Sequence, residues 1–322
     1  MFGPSGSASM PICEVDPWRF QYFAGIPCPD DVLISTEDAD SWLWYPAWRW
    51  VYDKLAVALS QGLEAAPHGV TPPRFPVFSK PITNLRGMGI GSRVLASEAD
   101  YIAALTPGHF WCTLLTGAHV SSDVALIDGE PHWWRHTTGV SGPGGTFDYW
   151  HVHQSAMPDV EAWCGDWCRR HLRDYTGMAN FETIGNRIIE AHLRFADQWP
   201  DLYGPGWVEA LIRLYATKRW DYLDSGRRDG FSVVLFAPHG RHYRHPDEAV
   251  LREVRAMDGV SSVQITFHAD WDPGRHAMPP GGFRLAIVNA YTLAAGQLGR
   301  DRLRAALMAG SDALDPDAAH MR

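Results

Sequence analysis

Apolar residues recur at helical spacing from Ala47 to Leu63 (Trp50, Val51, Leu55, Leu59, Leu63), and the run ends in Gly and Pro, which predicts a helix. FPVFSKP, residues 75–81, is bulky, apolar and bounded by prolines, so it predicts a buried strand. NLRGMGIGSRVL follows, with Gly87, Gly89 and Gly91 at alternate positions before another short strand; glycines so spaced let backbone amides approach a ligand closely. Residues 109–128, HFWCTLLTGAHVSSDVALID, predict two strands about a turn at Thr116-Gly117, and Asp128-Gly129 opens a second turn into PHWWRHTTG. A helix over 158–175, a hairpin over 178–195 centred on Gly185, and a helix in WVEALIRLYATKRW after Pro205 come next. Strands at 231–237, 261–268 and 283–289, with helices at 246–257 and 291–309, predict a smaller α+β unit at the C-terminal end.

Within the hairpin, RIIEAHLRF (187–195) sets Glu190, His192 and Arg194 at alternate positions, hence on one face of a strand. A three-residue connection, Ile184-Gly185-Asn186, places Asn180 opposite Glu190 and turns Glu182 to the same face. Five polar groups so gathered suit a metal with phosphates, because oxygen ligands hold Mg2+ and a guanidinium matches phosphate geometry. The same pattern also describes the solvent side of a half-exposed antiparallel sheet.

Composition narrows the classes without choosing among them. The 322 residues are 46% hydrophobic and 20% charged, the profile of a globular protein of two or three packed subdomains. A net charge of -9 gives no global attraction to nucleic acid or to an anionic membrane. Five scattered cysteines argue against a disulfide framework and for a reducing compartment. With no run of apolar residues long enough to span a bilayer and no signal-like start, a cytoplasmic protein with a loose N-terminal tail is expected. The 15 tryptophans cluster in SWLWYPAWRW, HWWRH and WCGDWC, as core filling between subdomains or as a platform for a planar ligand.

Upstream of the polar strand, Lys54 heads a helix as DK, Lys80 ends an apolar strand as KP, and the glycine loop follows at once. Two lysines with free amides suit a polyphosphate. With TLLTGAHVSSDVALIDG and IIEAHLR after them, these pieces stand in the order of the ATP-grasp family, which the chain resembles over roughly residues 53–195. The resemblance implies an α+β fold in which two α+β subdomains, 53–107 and 108–205, sandwich ATP. A shortened N-terminal region (1–52) precedes them and an α+β region (206–322) follows. It implies a ligase that activates a carboxylate as an acyl phosphate and joins it to an amine or similar nucleophile, or else a non-catalytic nucleotide-binding relative. Small-molecule acids and amines would be its partners, and a second copy or another protein could complete the substrate site. Carried over residue by residue, Lys54, Lys80, Arg86, Gly87 and Gly89 would hold the phosphates, with the loop from Asn84 to Ser92 closing over them. Thr113, Leu114 and Leu115 would present the backbone edge that reads adenine, and Arg194 would stabilise the acyl phosphate or the phosphoryl group in flight. Arg135, with Asp123, would line the substrate side. The metal, Mg2+ or Mn2+, would fall to Glu190 with His192, Asn180 and Glu182. Asn180 stands where the family has an acid and His192 where it has Asn, which leaves room for an altered metal preference or an inactive site.

Three other constellations stand apart. His151 and His153 share one side of a strand and, with Cys164 and Cys168, form a possible zinc set, although their spacing matches no common zinc module. GRHYRHPDE (240–248) is a basic loop before a helix, solvated or anion-binding. Arg284, after PPGG, either reaches the central cleft or stays in solvent.

Overall fold

Asp53 divides the first predicted helix. In the computed structural model, which describes residues 10–12, 16–85, 89, 91–271 and 279–313, a 3-10 turn Arg49–Tyr52 comes first. The Asp53 carboxylate then accepts the Ala56 N–H at 2.9 Å and caps helix α2, Lys54–Ser60. Helix α1, Asp38–Trp44, precedes both. The glycine-loop residues Arg86 and Gly87, and residues 1–9 of the expected N-terminal tail, lie outside the described residues.

Strands β1 (Ala65–Pro67), β2 (Val77–Pro81), β3 (Arg93–Leu95) and β4 (His109–Thr113) form a four-stranded sheet in the order β1-β4-β2-β3, with α3 (Glu98–Ala103) before β4. The chain then crosses to an eight-stranded sheet, starting with β5 (His119–Ile127), β6 (Glu130–Ser141) and β7 (Phe147–Val152). The strands flanking Thr116-Gly117 are therefore no hairpin: β4 pairs with β1 and β2, whereas β5 pairs with β6 and β8. Asp128 (φ 50) and Gly129 (φ 84) do make the predicted tight turn.

Helix α4 (Pro158–His171) leads to β8 (Gly177–Ile184) and β9 (Arg187–His192). Their turn holds two residues, Gly185 (φ 55) and Asn186 (φ 64), rather than the expected three, and a bulge follows at Glu182/Thr183. The register shifts accordingly: Asn180 faces His192, and Glu182 faces Glu190.

After α5 (Trp207–Thr217) come β10 (Gly230–Ala237), a short pair of β11 (Arg241–His242) with β14 (Asp312–Ala313), α6 (Glu248–Arg255), β12 (Val260–Ile265), β13 (Phe283–Ala290) and α7 (Leu293–Ala309). Strands β10, β12 and β13 do not stand alone. Strand β10 pairs with β7 from Gly230↔Val152 to Val233↔Tyr149, so the large sheet runs β12-β13-β10-β7-β6-β5-β8-β9.

The expected α+β class holds, and the tryptophans are mostly core. Helices α2 and α4 pack Val57, Cys164, Trp167 and Cys168 against Phe181 and Ile188 on one sheet face, with Trp42, Trp48, Trp50 and Trp163 around them. On the other face Trp133, Tyr203 and Trp207 form a second core with Phe195. Each fully buried aromatic contributes about 1.5–3 kcal/mol. No helix among the described residues is long and apolar enough to cross a membrane.

Candidate active site

A cavity of about 650 Å3 lies between β2 of the small sheet and the inner face of the large one. Period-two alternation brings Lys80 into it from β2, Glu182 from β8, and Glu190 and His192 from β9, while Arg284 enters from β13 and Trp150 from β7. Gly89 and Ser92 of the glycine loop line it as well.

Ligating atoms of Glu182, Glu190 and His192 lie within 4.8 Å of one another. Two carboxylates and one imidazole fit a divalent cation, and the nitrogen donor suits Mn2+ at least as well as Mg2+. Each donor is held from behind. His192 Nδ1 is 3.0 Å from both carboxylate oxygens of Asp38, an arrangement that leaves Nε2 turned to Glu190 Oε2 at 3.7 Å. Lys54 Nζ donates to Glu190 Oε1 at 2.5 Å, and His119 Nε2 stands 3.1 Å from Glu182 Oε2. Lys80 Nζ donates to the carbonyl of Ile189 at 2.7 Å.

Asp38 also accepts both Nε (2.7 Å) and Nη2 (3.1 Å) of Arg194. Burial alone would push its carboxyl up, but Arg194 and His192 together hold it well below the usual carboxylate range. His192 is raised: burial opposes its charged form, and Asp38 more than offsets that. Glu182 is lowered despite its burial, because His119 and His192 face it. Burial holds Lys80 below the ordinary lysine value, with Glu190 opposing. Arg284 is likewise held down by burial and then by Arg19. Among the described residues its guanidinium forms no ion pair.

Several expected site residues sit elsewhere. Lys54 is buried beneath Glu190 and does not line the cavity. Asn180 donates to Asp123 Oδ1 at 2.7 Å and to Ser121 Oγ at 3.0 Å, outside the metal cluster. Asp123 is itself closed off, accepting from the Ala196 N–H and the Tyr203 hydroxyl. Arg135, fully buried, donates to the carbonyls of Leu202 and Arg228 and misses the cavity, because its side chain runs into the second core. Thr113 ends β4 and Leu114 and Leu115 begin the link between the sheets, all three outside the cavity lining; the Thr113 N–H is already donated to the Glu64 carbonyl at 2.9 Å. Cys164 and Cys168 are buried in the α4 core and belong to no ligand cluster among the described residues.

Sequence reasoning missed Asp38, Arg19 and His119. Asp38 lies in STEDADSW among other acids, with nothing local to single it out. Its partners are more than 150 residues away.

Neither a family model nor a curated protein sequence matches the chain. Solved structures do. Phosphoribosylamine–glycine ligase from Thermotoga maritima aligns at TM-score 0.57 and 14% identity, over 91% of this chain and 85% of that one. N5-carboxyaminoimidazole ribonucleotide synthetase from Thermus thermophilus gives 0.54 and 16%, over 92% and 81%. N5-carboxyaminoimidazole synthase from Aspergillus clavatus, in complex with ADP and 5-aminoimidazole ribonucleotide, gives 0.55 and 11%, over 82% and 75%. This chain has the ATP-grasp fold.

Proposed function

We propose that the protein is an ATP-dependent ligase that activates a carboxylic acid and joins it to an amine. The observation that carries this reading is the convergence of Lys80, the Glu182/Glu190/His192 cluster and Arg284 on one cavity. Lys80 and the glycine loop would cradle the triphosphate, and Arg284 would take the acid by a bidentate contact. A divalent cation held by Glu182, Glu190 and His192 would supply neutralising charge at the phosphates. The acid's oxygen then attacks the γ-phosphorus and the bond to the ADP oxygen breaks. The amine attacks the acyl carbon of the resulting acyl phosphate, releasing inorganic phosphate and a proton. Lys54 acts from behind, fixing Glu190, rather than on phosphate.

A non-catalytic nucleotide-binding role is the second reading. It is favoured by Arg194, whose Nε and Nη2 are both engaged by Asp38 and so offer no free fork to a phosphoryl group. Incubation with ATP, Mg2+ or Mn2+ and pooled acids and amines separates the two. Stoichiometric ADP and phosphate that depend on both an acid and an amine support the ligase. Nucleotide binding with no turnover under any pool supports the second reading.

A further inference from the structure

The large sheet carries a second group of ligating side chains on its other side. Trp150 of β7 lines the cavity, so its neighbour His151 points to the opposite face. There His151, His153 and Asp229 bring ligating atoms within 4.8 Å of one another. Sequence spacing offered Cys164 and Cys168 as partners for the two histidines; the fold supplies Asp229 instead, from just before β10.

The surroundings are those of a held ligand set rather than of loose surface groups. His151 is stacked on Phe231 (4.6 Å, 12°), and its ring centroid is 4.0 Å from that of His153. His153 Nε2 pairs with Thr138 Oγ1 at 2.8 Å, which leaves Nδ1 for a ligand and fixes the ring. Asp229 Oδ1 accepts the Gln154 N–H at 2.8 Å. His151 Nε2 is enclosed and stands 3.0 Å from Asp229 Oδ1, without the alignment of a hydrogen bond. It is a buried nitrogen aimed at a carboxylate with no other partner among the described residues. All three side chains are only partly buried, so a cation can enter from solvent.

We infer that His151, His153 and Asp229 form a zinc site with three protein ligands and a solvent-accessible fourth position. Two imidazole nitrogens, borderline donors, beside one carboxylate favour Zn2+ over Mg2+ or Ca2+. The site is independent of the cavity and of any ligase activity.

The test uses the full chain, stripped of metal and titrated with Zn2+ in competition with a chromophoric chelator. Because Glu182, Glu190 and His192 of the cavity could also hold a divalent cation, the titration is run in a Glu190→Gln background and in the parent. Asp229→Asn and His153→Gln, each confirmed folded by circular dichroism, should weaken one zinc equivalent by at least about tenfold in both backgrounds. In the parent, Zn2+ should protect His151 and His153 from diethylpyrocarbonate, read by peptide mapping, which needs no variant. Zinc binding unchanged by both substitutions, or equal modification of the two histidines with and without zinc, overturns the site.

Discussion

Asp38 grips His192 and Arg194 with one carboxylate, its oxygens 3.0 Å from the imidazole Nδ1 and 2.7 Å from the guanidinium Nε. An acid from the first helix thereby sets the orientation of two side chains at the end of β9. The Asp38→Ala substitution leaves Arg194 without its partner and should cost about 3–5 kcal/mol of stability. Urea unfolding of parent and variant measures this; a loss under about 1 kcal/mol would show that the pair is not a structural anchor.

Because Asp38 presents the His192 nitrogen to the two glutamates, nucleotide should bind with Mn2+ at least as tightly as with Mg2+. The His192→Asn variant should shift the preference towards Mg2+. Calorimetry with each metal checks this, and identical metal ratios in parent and variant would remove His192 from the site.

Gly117 and Gly185 meet where the link between the sheets passes the β8–β9 turn. Gly117 has φ +121, and a Cβ there would stand 2.9 Å from the Gly185 Cα. Gly117→Ala should therefore destabilise by about 1–3 kcal/mol, since backbone rather than a flexible side chain must move. A thermal midpoint equal to the parent's would contradict the close approach.

Burial raises Asp123 from 3.8 to about 6, against the opposing hydrogen bonds from Tyr203, Ala196 and Asn180. Between those values the folded chain holds a proton that the unfolded chain has released, so stability due to this group falls as pH rises from about 4 to about 6 and is flat above. The Asp123→Asn variant lacks that fall. Stability curves for the two proteins that stay parallel across the window would contradict the raised value.

Local patterning made much of this site readable. Period-two alternation in RIIEAHLRF placed Glu190 and His192 together with Glu182, and that cluster stands in the fold. What failed depended on geometry the pattern does not encode. A two-residue turn and a bulge, in place of a three-residue turn, moved Asn180 from Glu190 to His192. The family resemblance put Arg135 and Asp123 on the substrate side, yet both side chains end among buried partners supplied by residues 196–228. The joining of β7 to β10 spans nearly eighty residues and was invisible to a reading by neighbours. Asp38 was hidden for the same reason.

Calorimetric titration of ATP with Mn2+ or Mg2+ tests most directly whether ATP occupies the cavity between Lys80 and Glu190. Lys80→Ala removes a charge-assisted phosphate contact worth about 1.5–3 kcal/mol, so a folded variant should bind ATP roughly ten- to a hundredfold more weakly than the parent. Unchanged ATP affinity in that variant, or no ATP binding by the parent with either metal, would contradict the account.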